Sequence, residues 1–185
     1  SERSWKHQKL PYAPNLCLDG YFQSYAYFEH RRDLILETFS IPVEIKEHIE
    51  SKYSDILALN NTVAVHVRRG DFLTPRLSQY HYSQKPEYYI NAMATFDTTS
   101  TFVFFSDDIE WCKKSLNFLE NKVFVDNTET VTDDLELMRA CNHNIIANST
   151  FSWWGAWLNN NSDKIVIAPK KWFCSENMQH LTIAP

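Results

Sequence analysis

Five short apolar runs, separated by stretches of helical spacing, constrain the fold of this 185-residue chain more than any other feature. The first is Val63-Ala64-Val65-His66-Val67, and Thr101–Phe105, Lys122–Val125, Ile145–Ala147 and Ile165–Ala168 follow it. Pro86 suits the first turn of a helix, with Tyr89, Ala92, Met93 and Phe96 behind it at helical spacing. A capping box of Asp107 and Glu110 is predicted to open a helix with Ile109, Cys112 and Leu116 on its inner face. Asp133 and Glu136 repeat that pattern ahead of Leu135, Met138 and Cys141, and a short helix is predicted from Phe151 to Leu158. Segments with helical caps between the runs exclude a chain of tight hairpins. The economical solution is an α/β fold, a Rossmann-like parallel sheet with right-handed crossovers and helices on both faces.

The first run ends in Arg68-Arg69-Gly70-Asp71. A β-branched strand lies deep in a sheet, so its charges emerge where the strand stops being covered, and open α/β sheets take their ligands there. Arginine carries a permanent charge and a planar fork of donors that matches phosphate oxygens, and glycine permits a sharp turn or close approach to a ligand. The competing reading is a surface cluster of salt bridges. His66 shares a strand face with Arg68, which brings it to the same site if that site exists.

Asn148-Ser149-Thr150-Phe151-Ser152 sits between a predicted buried strand and a predicted helix, where hydroxyls and free amides at a helix start form an anion site. Ser149 alone reads first as a helix cap. Its place at the same sheet edge as Arg68 and Arg69 turns that reading toward a ligand. Trp153, Trp154 and Trp157 read as packing in preference to a sugar platform. Asp107 and Asp108 also end a strand, and either cap the next helix, accept hydrogen bonds from a base or ribose, or hold a divalent metal in a phosphate-ester hydrolase. The metal reading is the weakest, since no second cluster of carboxylates or histidines stands at ligand spacing. His7, His30, His48, His81, His143 and His180 read as ordinary.

A net charge of −5 argues against a nucleic-acid binder and makes the arginine pair a local positive site for a small anion. No apolar run reaches the roughly 18 to 20 residues that span a bilayer, and no signal peptide is evident, so a soluble protein is expected. Cys17, Cys112, Cys141 and Cys174 are widely spaced and read as buried reduced thiols. Three Asn-X-Ser/Thr triplets, at Asn60, Asn148 and Asn160, do not establish secretion. Residues 1–62 are irregular and aromatic-rich, with helices predicted over Arg31–Phe39 and Glu44–Leu59; residues 63–185 carry the strand pattern.

Together, the run from His66 to Asp71, Phe104-Phe105-Ser106-Asp107-Asp108-Ile109-Glu110-Trp111, and Asp134 with Ile145 through Leu158 resemble the α-1,2-fucosyltransferases of glycosyltransferase family 11. Leu18–Ser24 and Ile167–Phe173 extend the likeness to nearly the whole chain. The resemblance implies a two-lobed, metal-independent, inverting GT-B enzyme that needs no cofactor and moves fucose from GDP-fucose to the 2-hydroxyl of a galactose-terminated glycan. It implies that Arg68 and Arg69 hold the β-phosphate while His66 and Asp71 shape that pocket. Asn148, Ser149, Thr150, Phe151 and Ser152 would serve the diphosphate, Asp107 or Asp108 the guanine or ribose, and Asp134 the nucleotide side. A cytoplasmic location with peripheral membrane association is expected. No glycine-rich segment ending in Gly-Asn-Gln is present, so residues 1–62 are expected to link to a first lobe that this chain lacks, and residues 63–185 to bind the donor. The alternative is a noncatalytic nucleotide-sugar binding module on the same fold.

Overall fold

The computed structural model describes residues 7–20, 22, 24–176 and 178. Tyr21 and Gln23, within Leu18–Ser24, and His180 lie outside them. Five parallel strands form one sheet: β1 (Thr62–Val67), β2 (Thr101–Ser106), β3 (Lys122–Phe124), β4 (His143–Ile145) and β5 (Val166–Ile167), in the order β3-β2-β1-β4-β5. Seven α-helices accompany them among the described residues: α1 (Arg32–Thr38), α2 (Val43–Lys52), α3 (Ser54–Leu57), α4 (Pro86–Met93), α5 (Ile109–Ser115), α6 (Val131–Ala140) and α7 (Thr150–Leu158). This is the Rossmann-like α/β architecture expected.

Alternation along the strands divides the core in two. Val63, Val65 and Val67 face α4 and α5, packing with Tyr89, Met93, Cys112 and Leu116. Ala64, Val103 and Phe105 face the other way onto Ile49, Tyr53 and Ile56 of the α2–α3 region and Leu137 and Met138 of α6. Residues upstream of β1 thus contribute to the second of these clusters, and Tyr25 and Phe28 pack on a third around Ile146, Trp153, Ala156 and Trp172. The chain crosses from β3 to β4 over the far side of β1, so the strand order reverses between β1 and β4. That reversal opens a crevice at the carboxyl ends of these two strands.

The local corrections have identifiable causes. The predicted helix Glu44–Leu59 breaks at Tyr53, whose fully buried ring turns toward the core and whose hydroxyl donates to Asp133 Oδ2 at 2.7 Å. The cap of α5 is Asp108, accepting from the Trp111 amide at 3.2 Å, because Asp107 is engaged elsewhere. Thr130 caps α6 in a reciprocal box with Asp133, so that helix starts earlier than the Asp133–Glu136 spacing implied. Strand β4 begins at His143 instead of Ile145, with Asn144 buried and satisfied by the Met138 carbonyl at 2.9 Å and the Asn159 amide at 2.8 Å. A polar pair in a strand disguises it to hydropathy.

The aromatic amino-terminal segment packs on α7. Phe28 and Phe39 stack on Trp154 at 5.4 and 4.8 Å, and Arg32 lies over Trp157 at 4.4 Å while donating to the Trp157 carbonyl at 2.8 Å. The tryptophans are therefore packing residues, as read. All four cysteines are free, but only Cys112 and Cys141 are buried; Cys17 and Cys174 are exposed. No helix among the described residues is long and apolar enough to cross a membrane.

Candidate active site

His66 is the fifth residue of β1 and its side chain points to the even-numbered face, where it meets Phe151 at 5.7 Å between ring centroids. It is 5% exposed, and its Nδ1 has no hydrogen-bond partner. Burial, reinforced by the Arg68 charge, drives its pKa down to about 3, so the ring is neutral at physiological pH. A neutral imidazole with a free nitrogen is a hydrogen-bonding group waiting for a ligand.

Arg68 leaves the sheet on the same side. Its Nη2 donates to Asp71 Oδ1 at 2.9 Å and its Nη1 to Asp107 Oδ2 at 3.0 Å, with the guanidinium 5.8 Å from the Phe72 ring centroid. The other Asp107 oxygen accepts from the Arg69 amide at 2.8 Å. One carboxylate thus clamps two points of the turn, and Gly70 lets it come close. A Cβ on Gly70 would stand 2.6 Å from Asp107 Oδ2.

Arg69 turns away. Its Nε donates to Asp108 Oδ2 at 3.0 Å and its guanidinium lies 4.1 Å from the Trp111 ring centroid, which fastens the turn to α5. Neither Arg69 nor Asp108 lines the cleft described below. Arg69, expected to share the phosphate with Arg68, is thus held against α5 and outside the lining that Arg68 joins. Asp108 is likewise engaged by Arg69 and by the cap of α5. With Asp107 neutralised by Arg68 as well, the two aspartates do not form a metal-binding pair.

At the end of β4, Asn148 is 4% exposed, which removes it as a glycosylation acceptor. Its amide donates to the carbonyls of Tyr82 at 2.9 Å and Trp172 at 2.8 Å, and its oxygen accepts from Gln84 Nε2 at 3.2 Å. Asn148 is a knot that ties the β1–α4 connection and the segment after β5 to the start of α7. Ser149 is the N-cap residue of α7 by backbone geometry, yet its side chain makes no capping hydrogen bond. The capping alternative thus fails for its hydroxyl, and the free amides of the first helical turn remain open to a ligand. Ser152, expected to serve the diphosphate, is 1% exposed, lies outside the cleft lining, and donates its hydroxyl to the Ser149 and Ala147 carbonyls.

These parts meet in one cleft of about 510 Å³ at the β1/β4 crevice, lined by His66, Arg68, Asp107, Asp134, Asn148, Ser149, Thr150 and Phe151. Asp71 stands outside the lining and holds Arg68. Asp134 projects from α6, and burial raises the pKa of its carboxyl from the ordinary value. The cleft also takes Phe72, His81, Val131, Ser106, Trp172 and Phe173, none of which sequence reasoning assigned to it. His81 stacks flat on Phe72 at 4.5 Å and forms an isolated antiparallel bridge with Phe173. Nothing local in the sequence marks that pairing, which rests on backbone hydrogen bonds from the Tyr82 amide to the Trp172 carbonyl at 3.1 Å and from the Cys174 amide to the Tyr80 carbonyl at 2.8 Å, with Asn148 bracing both segments. Among the described residues, no group of three His, Cys, Asp or Glu side chains stands where it could hold a metal ion.

Comparison with known proteins gives the family. The family model for glycosyl transferase family 11 matches residues 1–183. The O-antigen biosynthesis glycosyltransferase WbnK of Escherichia coli is 37% identical over 187 residues, covering 95% of this chain and 61% of that protein. An alpha-1,2-colitosyltransferase of Escherichia coli is 37% identical over 177 residues, with 90% and 59% covered. Human galactoside alpha-(1,2)-fucosyltransferase 1 is 31% identical over 159 residues, with 78% and 43% covered. The chain thus spans about three-fifths or less of the length of these relatives. With the family model matching almost end to end, the chain belongs to glycosyltransferase family 11.

Proposed function

We propose that this chain forms the donor-binding part of a GT-B enzyme that transfers L-fucose from GDP-fucose to the 2-hydroxyl of a galactose-terminated acceptor, with inversion. The observation that carries the reading is the meeting of Arg68 and Ser149 in one cleft where the strand order reverses. Cleavage of the sugar–phosphate bond leaves negative charge on departing GDP. Donors already aimed at that charge stabilise the transition state more than the ground state. Arg68, held by Asp71 and Asp107, the Ser149 hydroxyl and the first amides of α7 are such donors. They need little reorganisation, because the ion pairs and the helix fix them in advance.

Arginine charge and a helix start supply what a metal supplies elsewhere, so the proposed reaction runs without metal or cofactor. Asp134 is assigned to guanine, whose N1–H and 2-amino group offer paired donors to a carboxylate. His66 contributes its unpaired nitrogen at the floor of the site. The names of the curated relatives support α-1,2 transfer of a deoxy sugar. The cytoplasmic, peripherally membrane-associated placement expected of the family belongs to this proposal and rests on the resemblance alone. Incubating the full-length protein with GDP-fucose and lactose tests it: fucosyl-α-1,2-galactose in the product NMR spectrum is expected. GDP binding without transfer under any condition would instead favour the noncatalytic module.

A further inference from the structure

An inverting transfer needs a destination for the proton of the attacking hydroxyl, and the cleft offers few. Asp71 and Asp107 are paired with Arg68, and Asp108 with Arg69, all at 2.9 to 3.0 Å. Burial makes His66 too weak a base to hold a proton at neutral pH. Asp134 lies on α6 and is assigned above to the nucleotide. His81 remains.

Its surroundings suit the task. The ring is stacked on Phe72 with an interplanar angle of 8° and is flanked by Phe173 at 5.7 Å. Its backbone is held by the hydrogen bond that its amide donates to the Leu77 carbonyl at 2.9 Å and by the bridge to Phe173. Neither ring nitrogen has a hydrogen-bond partner among the described residues, so the fixed ring leaves its basic edge free in the cleft. The same Phe72 lies beneath Arg68, which places imidazole and guanidinium about one aromatic ring.

We propose that His81 is the proton acceptor for the attacking sugar hydroxyl, a role that rests on the transferase reading of the same cleft. The hydroxyl oxygen forms its bond to the anomeric carbon as its proton passes to the free ring nitrogen of His81. The anomeric carbon–phosphate bond breaks, and its electron pair leaves on the β-phosphate of GDP. The imidazolium then releases its proton to solvent. Phe72 and Phe173 give the acceptor ring apolar faces to lie against while this happens.

Besides burial, the charge that tunes His81 is that of Asp71, which favours the protonated ring; the Arg68 guanidinium faces it across Phe72, and the Cys174 thiol donates to the His81 backbone carbonyl at 3.4 Å. Burial is the larger influence and lowers its pKa, so the ring is a free base at neutral pH.

The test uses the full-length protein with GDP-fucose and lactose, comparing the parent with His81→Ala. His81→Gln retains a planar polar group and serves if the alanine variant does not fold. The expected result is unchanged GDP affinity, kcat lowered about 100-fold or more, and recovery of part of that loss with added imidazole in the alanine variant. Transfer within a few-fold of the parent at unchanged GDP affinity overturns the assignment to His81 alone. Loss of GDP affinity in a folded His81 variant also overturns it, because the ring would then serve the donor. A parent that binds no GDP overturns the donor-site reading itself, and a parent that binds GDP without transfer overturns the transferase reading and this proposal with it.

Discussion

Gly70 and Asp107 are packed so closely that a methyl group on Gly70 would stand 2.6 Å from Asp107 Oδ2. That oxygen holds Arg68, and its twin holds the Arg69 amide, so it has no slack to yield. Gly70→Ala is expected to displace the carboxylate and release Arg68. GDP affinity should fall about tenfold, equivalent to about 1.4 kcal/mol, with the fold retained. Calorimetric titration with GDP checks it, and parental affinity would show that the clamp does not position Arg68.

The two arginines should part company under mutation. Arg69 is enclosed by Asp108 and Trp111 and has a side chain only 17% exposed. Arg69→Ala is expected to cost about 2 kcal/mol of stability, from a lost ion pair and cation–π contact and a strained α5 cap. Urea denaturation measures it. Arg68→Ala, whose side chain faces the cleft, should leave the midpoint nearly unchanged.

Much of this organisation is legible in sequence because periodicity and strand ends are local. The alternation of Val63, Val65 and Val67 with Ala64 and His66 fixes which face each residue takes, and that parity delivers Arg68 to the cleft. The direction of Arg69 is not local: it depends on Trp111 and Asp108, some forty positions away, which sequence periodicity does not pair with it. The same holds for His81, which looks ordinary in sequence and reaches the site because residues 80–82 pair with residues 172–174 far along the chain, a pairing that Asn148 braces. Ser152 shows the converse. Its type and spacing suit a phosphate donor, but one helical turn buries the hydroxyl against its own backbone.

Asn148 is accordingly expected to be sensitive. Asn148→Ala takes the side-chain donor from the Tyr82 carbonyl and leaves the Trp172 carbonyl with the Tyr82 amide alone, which should cost about 2 kcal/mol. It should also loosen the wall formed by His81 and Phe173. A lower urea midpoint together with weaker GDP binding is the expected pair of results; stability equal to the parent would remove the knot from the account.

His66 gives the protein an acid-side sensitivity. Its folded pKa of about 3 lies below the ordinary value of 6.5, so below pH 6.5 the unfolded chain takes up a proton that the native ring refuses. The stabilisation is present above pH 6.5 and is lost as pH falls toward 3. Between pH 7 and pH 5 the loss from this group should be about 2 kcal/mol. Urea titrations at the two pH values, with His66→Gln as reference, isolate it. An identical pH slope in parent and variant would mean that His66 is not shielded as the structure places it.

The central claim is that Arg68 and the start of α7 hold one diphosphate between them. Isothermal titration of the parent and Arg68→Ala with GDP, both checked for native circular dichroism, tests it most directly. The expected result is saturable binding by the parent and a loss of at least about tenfold in the variant, in keeping with a charge-assisted hydrogen bond to phosphate. Equal affinity in the two folded proteins would contradict the assignment and leave the cleft without its diphosphate.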